Sequence, residues 1–203
     1  MNLLSSTLPL GKNTSVIFNH NIMRYAAMYL NLSTLDVGNA YMSFFNNERA
    51  IMLYKSTLNI MNSNVSFMGN VDNFSGGGAL YIYNSTMNVN SSKILLFNNS
   101  ATSGGALYAK SSALNFGHNT RVVFKNNIAN GIKGEYIPLC TIQSINADNP
   151  EGEGGALRMG LSNLSISFNT SISFIDNLAF LQGGAVHVSV SYTHLTLPTI
   201  YSV

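Results

Sequence analysis

Asn62-Ser-Asn-Val-Ser-Phe-Met-Gly-Asn70 and, seven residues on, Gly77-Gly-Ala-Leu-Tyr81 decide the reading of this chain. In Val65-Ser-Phe67 the first and third residues point one way and the middle one opposes them. That is strand periodicity, and the run is too short for a helix. The same pattern returns elsewhere. Asn13-Thr-Ser-Val-Ile-Phe18, Asn39-Ala-Tyr-Met-Ser-Phe44, Ser91-Ser-Lys-Ile-Leu-Leu96, Asn119-Thr-Arg-Val-Val-Phe124 and Asn169-Thr-Ser-Ile-Ser-Phe174 align with it without gaps. Three residues after each final Phe or Leu stands an asparagine: Asn21, Asn47, Asn70, Asn99, Asn127 and Asn177. The glycine block recurs at Gly77-Gly78, Gly104-Gly105, Gly154-Gly155 and Gly183-Gly184, each pair followed by Ala and then Leu or Val. Ala26-Ala-Met-Tyr29 and Ile51-Met-Leu-Tyr54 read as weaker copies without glycine. A third block ends on Leu35, Leu58, Met87, Leu114 and Leu164. It lies six residues after the Tyr/Arg position in every copy but one; Leu58 is four after Tyr54.

From Phe18 the steps to Phe44, Phe67, Leu96 and Phe124 are 26, 23, 29 and 28 residues. The next step, to Phe174, is 50, which places an insertion between Asn127 and Gly154. A self-similar period of this size marks a stacked array. Three short strands per repeat cannot bury a core alone, but stacked coil on coil they can, each pairing in parallel with its copy about 4.8 Å away. The fold expected is all-β: a right-handed parallel β-helix of six to seven coils of 23–29 residues, three strands per coil. The hand rests on the bias of parallel crossovers. The glycine pairs permit positive φ or close backbone approach at a corner. The asparagine three past Phe suits a left-handed turn, and repeated each coil it would stack as a buried amide ladder.

Composition bounds the function. Of 203 residues, 46 % are hydrophobic and only 9 % charged, against roughly a quarter charged in ordinary soluble domains. Net charge is +2, without a basic run, so nucleic acid is not an expected partner. A single cysteine excludes a disulfide framework and a Cys-rich zinc site. No apolar run is long enough to span a bilayer as a helix. Asparagine is in excess, at 28 residues.

Phe-x-x-Asn at Phe18, Phe44, Phe67, Phe124 and Phe174, alternating with Gly-Gly-Ala-Leu/Val, resembles the polymorphic membrane protein (Pmp) repeat over residues 12–190. In that family such motifs build the passenger of autotransporter-type adhesins, and related motifs occur in other extracellular β-helix proteins. The resemblance implies an extracellular or cell-surface location, as part of a larger outer-membrane parent. It implies a host or neighbouring-cell protein or glycan as partner, with membrane attachment only through flanking segments. The first two copies depart from the pattern by lacking the glycine pair, and the fourth has Leu96 for Phe. Residues 1–11 read as a fragmentary start, 12–190 as the repeat domain with an inserted loop at 131–153, and 191–203 as a non-native tail. That tail resembles translated sequencing-adapter bases.

Chemistry is sparse. β-Helix polysaccharide lyases and hydrolases need clustered carboxylates, for calcium or acid/base work, with a basic residue nearby. The eight acids (Asp36, Glu48, Asp72, Glu135, Asp148, Glu151, Glu153 and Asp176) fall at scattered offsets. The histidines share no register, and Cys140 in the insertion has no histidine base beside it in sequence. No catalytic residue, metal ligand or cofactor is expected. Nine Asn-x-Ser/Thr sequons would accept glycans only in a eukaryotic secretory pathway. Tyr29, Tyr54, Tyr81 and Tyr108 read as one outward register in successive coils, a candidate binding face for glycan or protein. The role expected is a surface adhesin or interaction scaffold without catalysis. A carbohydrate-active β-helix protein is the alternative, and a structural spacer a third.

Overall fold

The computed structural model describes residues 1–22, 26–131 and 152–189. Among these residues every element is a strand and every pairing is parallel. β1 (Asn2–Leu4), β4 (Met28–Asn31), β7 (Ile51–Tyr54), β11 (Leu80–Tyr83), β15 (Leu107–Lys110), β19 (Leu157–Gly160) and β23 (Val186–Ser189) make the first sheet. The second holds β2 (Thr7–Leu10), β5 (Thr34–Gly38), β8 (Thr57–Met61), β12 (Thr86–Asn90), β16 (Ala113–Phe116) and β20 (Asn163–Ile166). The third holds β3 (Ser15–Asn19), β6 (Tyr41–Phe45), β9 (Asn64–Met68), β13 (Lys93–Phe97), β17 (Arg121–Lys125) and β21 (Ser171–Ile175). Each coil passes through the three sheets in turn, so consecutive coils stack as a parallel β-helix.

Two details differ from the sequence reading. A fourth, shorter sheet joins the third back to the first from the third coil onward: β10 (Val71–Gly76), β14 (Ser100–Ser103), β18 (Ile128–Ala129) and β22 (Leu178–Ala179). Burial does not alternate along these strands, with Ala101, Thr102 and Ser103 buried in succession in β14, so they leave no alternating signature. Residues 1–11 are also in register: Leu3 pairs with Leu30, and Leu8 with Leu35.

The core follows from the alternation. Inward residues Leu30, Leu53, Leu80 and Ile82 of the first sheet, Leu35, Leu58 and Leu114 of the second, and Phe44, Phe67 and Phe124 of the third are essentially without solvent contact. Phe18, Phe44 and Phe67 stack face to face with centroids 4.8 and 5.1 Å apart, as do Phe124 and Phe174 at 4.9 Å. Those spacings are the distance between coils, so the aromatics stack coil on coil as a column in every coil but the fourth. Leu96 interrupts it without shifting the register, pairing with Phe67 on one side and Phe124 on the other.

The insertion leaves the stack undisturbed. Leu107 pairs with Leu157 across a 50-residue step. The amide N–H groups of Gly131 and Gly152, on either side of residues 132–151, both donate to the carbonyl of Thr102, at 3.1 and 2.7 Å. The excursion therefore departs from and returns to one point, and its length costs the scaffold little. Cys140, Glu135, Asp148 and Glu151 lie outside the described residues, as do Tyr25 and the tail from residue 190.

Candidate functional site

The repeat residues serve the interior. Asn47, Asn70, Asn99 and Asn127 are 0–1 % exposed, and their amides form the expected ladder. Nδ2 of each donates to Oδ1 of the next from Asn21 through Asn177, at 2.7–3.0 Å. Each Oδ1 also accepts the backbone N–H of the preceding asparagine, at 3.0 Å for every step. The second Nδ2 hydrogen goes to the carbonyl of Phe18, Phe44, Phe67, Leu96 or Phe124. Inside the ladder every donor and lone pair of the amide is filled, which is what allows it to be buried. The left-handed residue is not this asparagine but the one before it: His20, Asn46, Gly69, Asn98, Asn126 and Asp176 have φ between 50° and 66°. The ladder asparagine follows the turn and closes it.

The two glycines of each pair have different jobs. The first takes positive φ, 70° at Gly77, 54° at Gly104, 63° at Gly154 and 62° at Gly183. The second needs space. A Cβ on Gly105 would lie 2.3 Å from the carbonyl oxygen of Gly155, and one on Gly155 2.1 Å from that of Gly184. In the corner before β7, where the glycine pair is missing, Arg49 takes φ 50° instead.

The tyrosine register requires correction. Tyr29, Met52, Tyr81, Tyr108, Arg158 and His187 are successive partners in the first sheet, whereas Tyr54 pairs with Asn31 and Tyr83. With Met52 in place, Leu58 is six residues on and the irregular spacing disappears. Nor is the face open: Tyr108 is 8 % exposed and Tyr81 only partly so. Residues 72–76 of β10, where its register is irregular, fold over them, with a Cβ on Gly76 only 2.6 Å from the Tyr108 ring.

Beneath that cover the side chains form a column. The Arg49 guanidinium lies 5.1 Å over Tyr81; Tyr81 stacks on Tyr108 at 5.2 Å; the Arg158 guanidinium lies 5.7 Å from Tyr108. Each cation also holds a carboxylate. Arg49 pairs with buried Asp72, whose other oxygen accepts the backbone N–H of Phe74 at 3.0 Å. Arg158 pairs with Glu153 at 2.5 Å, and His187 sits 3.5 Å from the same carboxylate. Burial, and then the neighbouring Tyr108, push the Tyr81 phenol above its ordinary pKa. Burial lowers that of Arg158, and Glu153 partly offsets it. Charges paired and desolvated in this way fix geometry rather than await a ligand. Asp72 and Glu153 are held apart by the two tyrosines. Among the described residues no three of His, Cys, Asp and Glu approach as metal ligands would.

Two further ladders were missed by the sequence reading. Ser6, Ser33, Ser56, Ser85 and Ser112 each donate a backbone N–H to the hydroxyl of the serine in the next coil, at 3.0–3.2 Å, ending on Ser162. Their signal was present: a serine stands two residues before Leu8, Leu35, Leu58, Met87, Leu114 and Leu164. On the outside of the second sheet, Asn115, Asn88 and Asn59 pass amide hydrogen bonds along to Asp36 at 2.7–2.8 Å. The carboxylate can only accept, so it orients every amide behind it.

The outer face of the third sheet is different again. Tyr41, Asn64, Lys93 and Arg121 are register neighbours in four successive coils, and all four are exposed. With Ser43, Ser66, Leu95 and Val123 they line a shallow groove of about 300 Å³.

Residues 93–110 match the Chlamydia polymorphic membrane protein (Chlamydia_PMP) repeat. That span runs from β13 through Asn99 to Gly104-Gly105-Ala106-Leu107 and β15, so it contains both halves of the motif in one coil. No curated protein and no solved structure matches the chain.

Proposed function

We propose that this chain is a surface-displayed β-helix scaffold that acts in adhesion, presenting binding surfaces and carrying out no catalysis. The match of Lys93–Lys110 to a repeat named for a Chlamydia polymorphic membrane protein carries this reading. Its location is the cell surface, within a larger outer-membrane parent, and its partner a host or neighbouring-cell protein or glycan. The stack supports it physically. A rigid array with its polar interior groups satisfied coil by coil is suited to holding loops and faces at fixed spacing. The ends of the inserted segment, Gly131 and Gly152, both bond to Thr102, and segments inserted into rigid scaffolds commonly carry binding.

The experiment is saturable binding of the purified chain to host cells, beside a variant joining Gly131 directly to Gly152. Saturable binding of the parent, lost or weakened in the variant at unchanged melting temperature, is expected. Binding that never saturates overturns the adhesive role and leaves a spacer. Hydrolysis or elimination products from a panel of polysaccharides would overturn the non-catalytic one.

A further inference from the structure

The groove on the third sheet carries an arrangement that the stack does not need. Lys93 and Arg121 are direct partners in neighbouring strands, and Lys125 is the partner of Phe97 in the same pair. Like charges directly opposite on one sheet face are destabilising. The chain has only 10 Lys and Arg in all. The other coils place Ser15, Tyr41, Asn64 and Ser171 at the same register. Arg49 and Arg158 each hold a carboxylate, but Lys93, Arg121 and Lys125 form no ion pair among the described residues. Among the described residues no carboxylate lies on the strands of this face; the acid nearest by register is Asp176, one residue past the Lys125 partner Ile175. An exposed cation pair that lowers stability is accounted for by an anion that neutralises it.

The groove also shows what shape of anion. It runs along the stack rather than around it, from Tyr41 to Arg121, three strand spacings or about 14 Å. Tyr41 is 60 % exposed at the uncharged end and offers a ring face. Asn64 and Ser66 lie in the strand between it and Lys93, and Ser43, beside Tyr41 in its own strand, is hydrogen-bonded to Ser66. Ring face, amide and hydroxyls, then two cations in line fit a linear polymer with polar rings and periodic anionic groups. We propose that the outer face of the third sheet, centred on Lys93 and Arg121, binds a linear acidic glycan bearing carboxylate or sulfate groups. The proposal names a ligand class for the surface role above and rests on that reading for its setting, though not for the binding itself.

The test is calorimetric titration of the whole chain with heparin, polygalacturonate, neutral dextran and poly-glutamate at physiological salt, repeated with the K93Q/R121Q double variant and a K55Q control from the bend after β7. Heparin or polygalacturonate should bind, and which of them binds identifies sulfate or carboxylate as the anionic group. K93Q/R121Q should lose roughly tenfold in affinity, while K55Q keeps it. The double variant should melt at the same temperature or slightly higher, because a like-charge contact is gone. Absence of binding to both acidic glycans, equal binding by K93Q/R121Q, or poly-glutamate binding as tightly as the glycans would each overturn the proposal. Saturable cell binding by the parent chain without binding to either acidic glycan would overturn the proposal and leave the adhesive role standing. Glycan binding without saturable cell binding would do the reverse.

Discussion

The asparagine ladder and the tyrosine register both run the length of the stack, yet one repeats a single residue six times and the other changes almost every coil. From Asn21 to Asn177 the residue never varies. The other column reads Tyr29, Met52, Tyr81, Tyr108, Arg158, His187. The difference lies in what each position faces. A ladder amide meets the same amide above and below and the same carbonyl beside it, so one solution serves every coil. A residue on the outside of the first sheet meets whatever the corner sheet folds over it: Asp72 and Ser75 near Arg49, Glu153 near Arg158. Interior positions are solved once by symmetry; outer positions are solved one at a time.

Cutting the ladder should have the largest effect. Asn99→Ala removes the acceptor of the Asn70 backbone N–H and of Asn70 Nδ2, and the donor to the Phe67 carbonyl. These groups are buried beyond the reach of water, so the loss should be about 4 kcal/mol, from roughly 1–3 for each orphaned group. Thermal unfolding checks it. A fall of less than about 1 kcal/mol would mean that the ladder is ornamental and that the apolar column alone fixes the register.

Gly105→Ala should come next. The added methyl meets the Gly155 carbonyl oxygen at 2.3 Å and the Ile128 carbonyl at 2.5 Å. Both are backbone, so relief requires moving a neighbouring coil, at a cost of about 3 kcal/mol. Hydrogen exchange should show the loosening first at β18 and β19, the strands on either side of the insertion. Ala106→Gly, which removes a methyl at the neighbouring position, should not produce that pattern.

Breaking the outer column should cost less and should be recoverable. Glu153→Gln leaves the Arg158 guanidinium, 4 % exposed, without its carboxylate, a loss of about 2 kcal/mol, the worth of a hydrogen bond between charged groups. Replacing both partners, Arg158→Met with Glu153→Leu, should restore most of it, because a buried ion pair seldom outperforms apolar packing. No such rescue is available to the ladder, whose backbone donors remain whatever side chain replaces Asn99. Chemical denaturation of the three variants decides the point.

The same contrast explains what the sequence made legible. Coil period, parallel stacking, the aromatic column and the amide ladder all rest on positions that face their own copies, and repetition exposes them. The serine ladder was equally repetitive and was overlooked because serine beside Asn and Thr blends into a turn. Tyr54 was placed by residue type; the spacing to Leu58, four where every other copy has six, was the evidence that Met52 belonged there. The ion pairs could not be read. Arg49 finds Asp72 23 residues on, while Arg158 finds Glu153 five residues back, so no common offset exists. The groove was hidden for a related reason: Lys93 and Arg121 look unrelated until register places them side by side.

The smallest effect is confined to alkaline solution and tests whether the outer column is as dry as its geometry indicates. Burial raises the Tyr81 phenol, and Tyr108 adds to this, so the folded state favours the neutral form. Below roughly pH 10, the ordinary tyrosine value, folded and unfolded chains both carry the proton and the contribution is fully present. As pH rises through that value the unfolded chain ionises first, and stability falls until the raised folded value is passed. Burial lowers the Arg158 pKa as well, but a guanidinium keeps its charge through the range in which a phenol titrates. A difference curve, wild type minus Tyr81→Phe, isolates the phenol because Arg158 is common to both members. Melting temperatures from about pH 9 to 11 should show wild type declining more steeply than Tyr81→Phe. Parallel curves would mean that water reaches Tyr81, and that residues 72–76 of β10 are a lid over the column and not a seal.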